Sequence, residues 1–285
     1  MFEHLAFDCS GRSPEEIEEA ALASVAEHRL ALLRNFPVDI DRYIALLSRL
    51  GELCPNYAAG SAKSAYTLHE AVNVVRCRAP QSDGPERVQE KAGSLPMHSG
   101  RSFARRRPLF LAMLMTDPGW QDFAPGRNGE SLIVRWGDVL AEMRTRHPEH
   151  WAEDVRLLTA VAISFPASHL DEPSSELPFL YLPGTPRRTP VADDCAARLP
   201  QNLDRLRKAA ESLDDGERWF EAVTRFQAIA NDPAVRHSYV MRAGDVVVID
   251  NDRYGHGRQD VVAARTDADG VQAVNPRTIW SVNIQ

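Results

Sequence analysis

Residues 244–258 read GDVVVIDNDRYGHGR, and this stretch contains the strongest structural signal of the chain. Gly244 and Asp245 form a turn signal ahead of four consecutive β-branched residues, Val246 to Ile249. Such a run predicts a strand that is buried on both faces. A second turn follows and leads to His256, which stands between two glycines. The stretch therefore predicts a buried strand, followed closely by a histidine with a glycine on each side.

Short apolar runs on either side of this stretch are separated by prolines and glycines. They predict strands at Leu30–Leu33, Val72–Val75, Phe110–Met115, Leu132–Val134 and Thr278–Ile284. Helices are predicted from Ser13, a capping residue, to about His28, then from Ile40 to Leu50 and within residues 202–230, where apolar residues recur at helical spacing. This pattern is typical of an α+β protein that is mainly β.

The composition is that of an ordinary globular protein, because 44% of the 285 residues are hydrophobic. Dispersed prolines and glycines predict one domain, residues 1–285, with a helical insertion around 200–232. The formal charge of -7 disfavours binding to a nucleic acid polymer or a membrane. The first thirty residues contain no long apolar run, so we expect a cytoplasmic protein. The four scattered cysteines fit reduced thiols, and the oligomeric state stays open.

Three segments carry candidate chemistry. They are LPMHSG at residues 95–100, the 244–258 stretch with His256, and the Pro276-Arg277 pair before the last predicted strand. A single histidine is usually a structural residue of a core. The order and spacing of these segments favour a functional interpretation instead.

The combination resembles the clavaminate synthase and taurine dioxygenase superfamily of iron(II)- and 2-oxoglutarate-dependent oxygenases, from about Leu30 to the C-terminus. The resemblance implies a double-stranded β-helix (jelly roll) core with flanking helices. It also implies that His98 and His256 bind iron, since two imidazoles and one carboxylate form the facial triad of such enzymes. Arg277 is then expected to bind 2-oxoglutarate as a bidentate fork, with Ser131 assisting and Arg265 as an alternative.

Gly100 departs from the family pattern, because an Asp or Glu normally stands at this position and supplies the third ligand. Asp252 and Glu130 are candidate substitutes, although an extended chain would put Asp252 about 13 Å from His256. In this superfamily and its relatives, Gly or Ala at this position is the mark of radical halogenases, in which chloride takes the place of the acid. The resemblance therefore implies a halogenase that uses iron(II), 2-oxoglutarate, O2 and chloride.

Two other functions remain open. One is a 2-oxoglutarate-dependent hydroxylase or desaturase with water beside Gly100. The other is a binding protein that has kept the barrel and lost its chemistry, which the joint presence of His98, His256 and Arg277 disfavours.

A local basic cluster surrounds the first histidine motif in this acidic chain. It consists of Lys91, Arg101, Arg105, Arg106 and Arg107. Such a cluster is either a solvated surface or a site for an anionic small molecule, and we expect Arg101 and Lys91 to bind substrate. A nucleotide such as deoxyadenosine monophosphate, as in nucleoside antibiotic biosynthesis, is favoured over a free amino acid.

Overall fold

The computed structural model describes residues 3–55, 68–77, 90–102, 104, 107–165, 175–184, 194–266 and 268–285. The helices of these residues are α1 (Pro14–His28), α2 (Ile40–Ser48), α3 (Trp136–Arg146), α4 (Trp151–Ala160), α5 (Asp204–Ala210) and α6 (Gly216–Ala230), and a short 3-10 helix covers Glu3–Leu5. The strands are β1 (Ala6–Asp8), β2 (Leu30–Arg34), β3 (Leu53–Cys54), β4 (Val72–Arg76), β5 (Leu95–His98), β6 (Phe110–Asp117), β7 (Ser131–Arg135), β8 (Ala162–Phe165), β9 (Ser175–Pro178), β10 (Leu180–Tyr181), β11 (Ala196–Ala197), β12 (His237–Tyr239), β13 (Val246–Asp250), β14 (Tyr254–Arg258), β15 (Ala264–Thr266), β16 (Gln272–Val274) and β17 (Thr278–Ile284).

The predicted early helices form, and their starts have the expected local cause. At α1 the Ser13 hydroxyl accepts a hydrogen bond from the Glu16 amide at 3.2 Å, and the Glu16 carboxylate accepts one from the Ser13 amide at 2.8 Å. This reciprocal pair is the capping box that the sequence predicted. Asp39 caps α2 by accepting from the Arg42 amide at 2.9 Å.

A larger and a smaller sheet form the centre of the fold. Among the described strands, the larger sheet has the order β1-β2-β13-β6-β17-β3, and β4 also pairs with β17. Its pairs are antiparallel except for β1 with β2, which is parallel. Every residue of β13 is buried, as its β-branched sequence predicted. The smaller sheet has the order β12-β7-β14-β5 and is antiparallel.

Side-chain alternation in the strands separates three apolar clusters. From β13, Val246 and Val248 pack against α1 and α2, while Val247 and Ile249 point the other way. These inward residues share a cluster with Ile133, Tyr239 and Tyr254 of the smaller sheet, so the two sheets pack against each other. On the opposite face of the smaller sheet, Met97, Leu132 and Val134 pack against the later helices.

The helices outside the smaller sheet are only partly predicted. Helices α5 and α6 lie within the stretch where an insertion was expected, and α6 buries Trp219 and Phe226. Helices α3 and α4 were not predicted. Neither Arg135 nor His150, at their N-cap positions, makes a side-chain capping bond, so the usual starting signal is missing. No helix of the described residues is long and apolar enough to cross a membrane.

The glycines around His256 allow close packing on both sides of β14. A Cβ atom on Gly255 would overlap the ring of Trp136, which is fully buried at the start of α3. A Cβ atom on Gly257 would lie 2.7 Å from the Leu95 carbonyl oxygen of β5. Both glycines are therefore required by the approach of neighbouring atoms.

We expect Gly255→Ala to lower the free energy of unfolding by about 1–3 kcal/mol, because the added methyl group overpacks the site. Urea denaturation measures this loss. Trp136→Phe removes the far part of the indole ring, so the double variant is expected to lose less than the sum of the two single changes. Strictly additive losses would contradict the proposed clash.

Candidate functional site

Two histidines lie side by side on the smaller sheet. His98 ends β5 and is directly opposite His256 of β14, and the ring centroids are 4.1 Å apart. His256 is also opposite Ile133, which belongs to the cluster between the two sheets. Because paired residues of neighbouring strands share a face, both imidazoles point toward the larger sheet.

Both imidazoles are neutral at pH 7. Burial lowers the pKa of His98 to about 4, although a hydrogen bond to the Pro96 carbonyl acts in the opposite direction. Burial, with a smaller contribution from His98, holds the pKa of His256 well below its usual value. The Nδ1 atom of His98 lies 2.9 Å from the Pro96 carbonyl oxygen, so this nitrogen carries the proton and Nε2 keeps its lone pair. Two neutral imidazoles on one face suit a divalent transition metal.

The side-chain amide of Asn251 forms hydrogen bonds with both the backbone amide and the backbone carbonyl of Gly100. The Gly100 amide donates to Asn251 Oδ1 at 2.8 Å, and Asn251 Nδ2 donates to the Gly100 carbonyl at 2.9 Å. A Cβ atom on Gly100 would lie 3.0 Å from Asn251 Oδ1, which is closer than an ordinary contact. A side chain at residue 100 therefore requires Asn251 to move by a few tenths of an ångström.

Both candidate substitute carboxylates are paired with other protein groups. Asp252 forms an ion pair with Arg107, whose side chain is buried. Glu130 accepts hydrogen bonds from two backbone amides of its own loop, Gly126 at 2.6 Å and Asn128 at 3.1 Å. Within the described ranges, no group of three His, Cys, Asp or Glu residues could hold a metal ion.

Arg277 is a buried cation with spare donor capacity. It is 4% exposed and donates from Nη2 to the Gly129 carbonyl at 3.2 Å. Its Nε atom is buried and has no hydrogen-bond partner among the described residues. Burial, and then the nearby Arg258, lowers the pKa of Arg277 to about 10, so the side chain stays charged at pH 7. A buried, incompletely paired guanidinium fits a carboxylate ligand.

Ser131 and Tyr239 lie close to this arginine. Ser131 begins β7 two residues after Gly129, is buried, and is directly opposite Tyr239 of β12. The hydroxyl of Tyr239 is buried, and burial raises its pKa, while a hydrogen bond with Ser131 acts in the opposite direction. Tyr239 was not predicted from the sequence, because nothing near it in the chain marks β12 as a neighbour of β7.

Arg265 and the basic cluster have different surroundings from Arg277. Arg265 is 49% exposed, pairs with Asp122 at 3.1 Å and stacks on Trp120, so it is far less suited to a buried carboxylate. Lys91 is exposed, and Arg101 donates to the Pro55 carbonyl at 3.2 Å. Arg107 is tied to Asp252 and is therefore structural, whereas Arg105 and Arg106 lie outside the described residues.

Residues 194–201 run beside the His98 motif, and we call this segment the strap; residues 194–200 of it are buried. The Ser99 amide donates to the Leu199 carbonyl at 2.8 Å, and the Ser99 hydroxyl donates to the Ala197 carbonyl at 2.6 Å. At the end of the strap, Gln201 Nε2 lies 2.8 Å from His98 Nε2. Gln201 was not predicted from the sequence, because 103 positions separate it from His98 and no motif surrounds it.

The strap has its own anchors. Asp194 forms ion pairs with Arg135, at 2.7 Å, and with Arg253. Further along, Arg198 donates to the carbonyl oxygens of Ser102, at 3.2 Å, and Ala104, at 2.7 Å. These bonds join the strap to β7, to the turn before β14 and to the loop after Gly100. The backbone that leads to Gln201 is therefore anchored to three other segments of the chain.

Solved structures of oxygenases share this fold. Asparagine oxygenase in complex with Fe(II), 3-hydroxyasparagine and succinate has a TM-score of 0.59 and 17% identity, over 96% of this chain and 80% of that one. The oxygenase OrfP in complex with Fe and alpha-ketoglutaric acid has a TM-score of 0.55 and 18% identity, over 97% and 81%. A taurine dioxygenase from Burkholderia xenovorans has a TM-score of 0.56 and 12% identity, over 95% and 79%.

Sequence comparison gives the family. No curated protein matches the chain significantly. The family described as taurine catabolism dioxygenase TauD, TfdA family matches residues 3–271, which is nearly the whole chain. This match confirms the resemblance seen in the sequence at the level of the family. The chain therefore belongs to the TauD/TfdA dioxygenase family and has the fold of its structurally known oxygenases.

Proposed function

We propose that the protein is an iron(II)- and 2-oxoglutarate-dependent halogenase that chlorinates an unactivated carbon of a small anionic substrate. The observation that carries the proposal is the pair of neutral histidines, His98 and His256, next to a glycine in place of the usual acid. The surroundings of Asp252 and Glu130 support it, because each carboxylate already binds another protein group.

Each residue has a defined part in this proposal. His98 and His256 hold the iron, while Arg277 pairs with the distal carboxylate of 2-oxoglutarate and Ser131 donates a hydrogen bond to it. The two sheets are then the halves of a double-stranded β-helix that encloses both groups. When bound, iron and 2-oxoglutarate supply the oxidising power that removes a hydrogen atom from the substrate. Gly100 leaves space and removes one negative charge, which favours a halide anion beside the metal.

Two cationic side chains near the His98 segment support an anionic substrate. Arg101 directly follows Gly100 and Lys91 precedes β5, so both cations flank the segment that ends in His98. They suit a phosphate or carboxylate group, and a nucleotide is favoured over a free amino acid. A hydroxylase remains the second candidate, because water also fits beside Gly100 and the oxygenase neighbours include asparagine oxygenase.

The first test concerns iron. We expect His98→Ala and His256→Ala each to weaken Fe(II) binding more than about 100-fold, because loss of even an outer-shell partner costs a metal site 10–100-fold. Equilibrium dialysis under anaerobic conditions measures this affinity. His150→Ala is the control, since His150 is exposed between α3 and α4 and its loss leaves iron binding unchanged. Wild-type affinity in both test variants would exclude the histidine pair as the metal site.

The second test concerns 2-oxoglutarate. Arg277→Gln removes a buried charged donor and is expected to weaken 2-oxoglutarate binding about 10- to 100-fold. Arg265→Gln is the matched control, because Arg265 is exposed and already paired with Asp122. Isothermal titration of the Fe(II)-loaded protein separates the two variants. If Arg265→Gln had the larger effect, the assignment of Arg277 would be wrong.

The third test concerns the reaction. Incubation with chloride and a panel of nucleotides and amino acids is expected to give a chlorinated product detectable by mass spectrometry. Gly100→Asp restores a carboxylate and is expected to abolish chlorination, with hydroxylation as a gain. Gly100→Ala controls for crowding against Asn251, because it adds the Cβ atom without the acid. A hydroxylated product alone, formed by the wild type in saturating chloride, would favour the hydroxylase.

A further inference from the structure

We propose that the side-chain amide of Gln201 is a halide-positioning group, which donates an N–H hydrogen bond to the anion bound beside His98. This inference rests on the proposed halogenase function and adds to it a residue from a different part of the chain. It starts from the contact between Gln201 Nε2 and His98 Nε2, which are 2.8 Å apart.

The hydrogen-bond pattern of His98 defines which end of the amide faces it. A carbonyl oxygen can only accept, so the bond to Pro96 requires the proton on Nδ1 and leaves a lone pair on Nε2. An amide oxygen opposite that lone pair would bring two acceptors together. The NH2 group therefore faces His98, and the oxygen of Gln201 points elsewhere.

The same atom lies close to where His98 would hold a metal, because a hydrogen bond to the Nε2 lone pair and a metal bond from it share one direction. With a metal–nitrogen bond of about 2.1 Å, the metal would stand within about 1 Å of the present amide nitrogen. Metal binding therefore displaces the amide to the side, next to a coordination position that another ligand can fill. An amide NH2 group has no lone pair to offer a metal, so its role toward a ligand in that position is to donate a hydrogen bond.

An anion is the ligand that gains most from this donor, because hydrogen bonds to charged groups are stronger than those to neutral ones. Two other side-chain donors close to Gly100 already bind protein oxygens. Asn251 Nδ2 donates to Gly100 and Pro108, and the Ser99 hydroxyl donates to Ala197. The Gln201 amide instead contacts the Nε2 atom of His98. A metal bound to this nitrogen would replace the amide as its partner, and the amide N–H could then donate to a halide.

The strap gives the amide the rigidity that positioning requires. Residues 194–200 are all buried, and the bonds from Ser99 to Ala197 and Leu199 hold the strap against the His98 segment. Gln201 is the first residue after this buried run and is half-buried. The backbone that carries the amide is therefore held against the strand that carries the ligand, and only the side chain has to adjust.

The experiment is an anaerobic chloride titration of the Fe(II)–2-oxoglutarate complex, followed by its visible charge-transfer absorption. Gln201→Leu keeps similar volume without a donor, and we expect the Kd for chloride to rise about 10- to 100-fold, as for loss of a charged hydrogen bond. The Kd for Fe(II) is expected to change less than about threefold, because the amide is not a ligand. Gln121→Leu, an exposed glutamine, is the matched control and keeps wild-type chloride binding.

Two further variants keep the test decisive if Gln201→Leu is poorly folded, which circular dichroism would reveal. Gln201→Asn retains the amide one methylene further away and should weaken chloride binding to a smaller extent. Gln201→Glu exchanges the donor for a carboxylate, so we expect tighter Fe(II) binding and loss of the chloride response.

The outcomes separate the two proposals. A wild-type protein with no chloride response would overturn the halogenase function and the role of Gln201 together. A wild-type response that Gln201→Leu and Gln201→Asn both retain would overturn only the role of Gln201. Weaker Fe(II) binding with unchanged chloride affinity would also overturn it, since that result identifies the amide as a metal ligand.

Discussion

The antiparallel pairing of β5 with β14 is the interaction on which the site depends, because it sets His98 opposite His256. This pairing tolerates little change, since Gly257 approaches the Leu95 carbonyl and Gly255 packs under Trp136. The short β5 is also held from outside the sheet. The Met97 amide donates to the Asn231 side chain at the end of α6, at 2.9 Å. Helix packing and strand register thus act together on the two imidazoles.

Charge is distributed unevenly around this pair. Three acidic side chains of the neighbourhood are paired with arginines: Asp250 with Arg29, Asp252 with Arg107, and Asp194 with Arg135 and Arg253. By contrast, Arg277 is buried with a donor to spare within the described residues. A site built from neutral imidazoles and an incompletely paired cation is suited to anionic ligands, which agrees with the proposed 2-oxoglutarate and halide.

The fold alone does not decide the reaction, because one fold carries different chemistries in its loops and strand ends. The chain shares its architecture with asparagine oxygenase and with a taurine dioxygenase at 17% and 12% identity. Two local features of this chain bear on the proposed chemistry, a glycine held by Asn251 and an amide from the strap. In the proposed function, both features determine what can stand beside the metal, and neither belongs to the helical or strand framework that sets the fold.

The sequence by itself determined most of the helices and strands near the site, and it identified the side chains that carry candidate chemistry. The capping box at Ser13, the buried run of β13 and the His98, Gly100 and His256 motifs were readable because each depends on neighbours in the chain. Helix α3 was not predicted, because its start has no capping side chain and it is stabilised by packing on α6. Only the tertiary structure decided that Asp252 pairs with Arg107, that Arg277 rather than Arg265 is buried, and that Gln201 meets His98. These contacts join residues far apart in sequence, and burial and hydrogen bonding between distant segments leave no periodic signal in the chain.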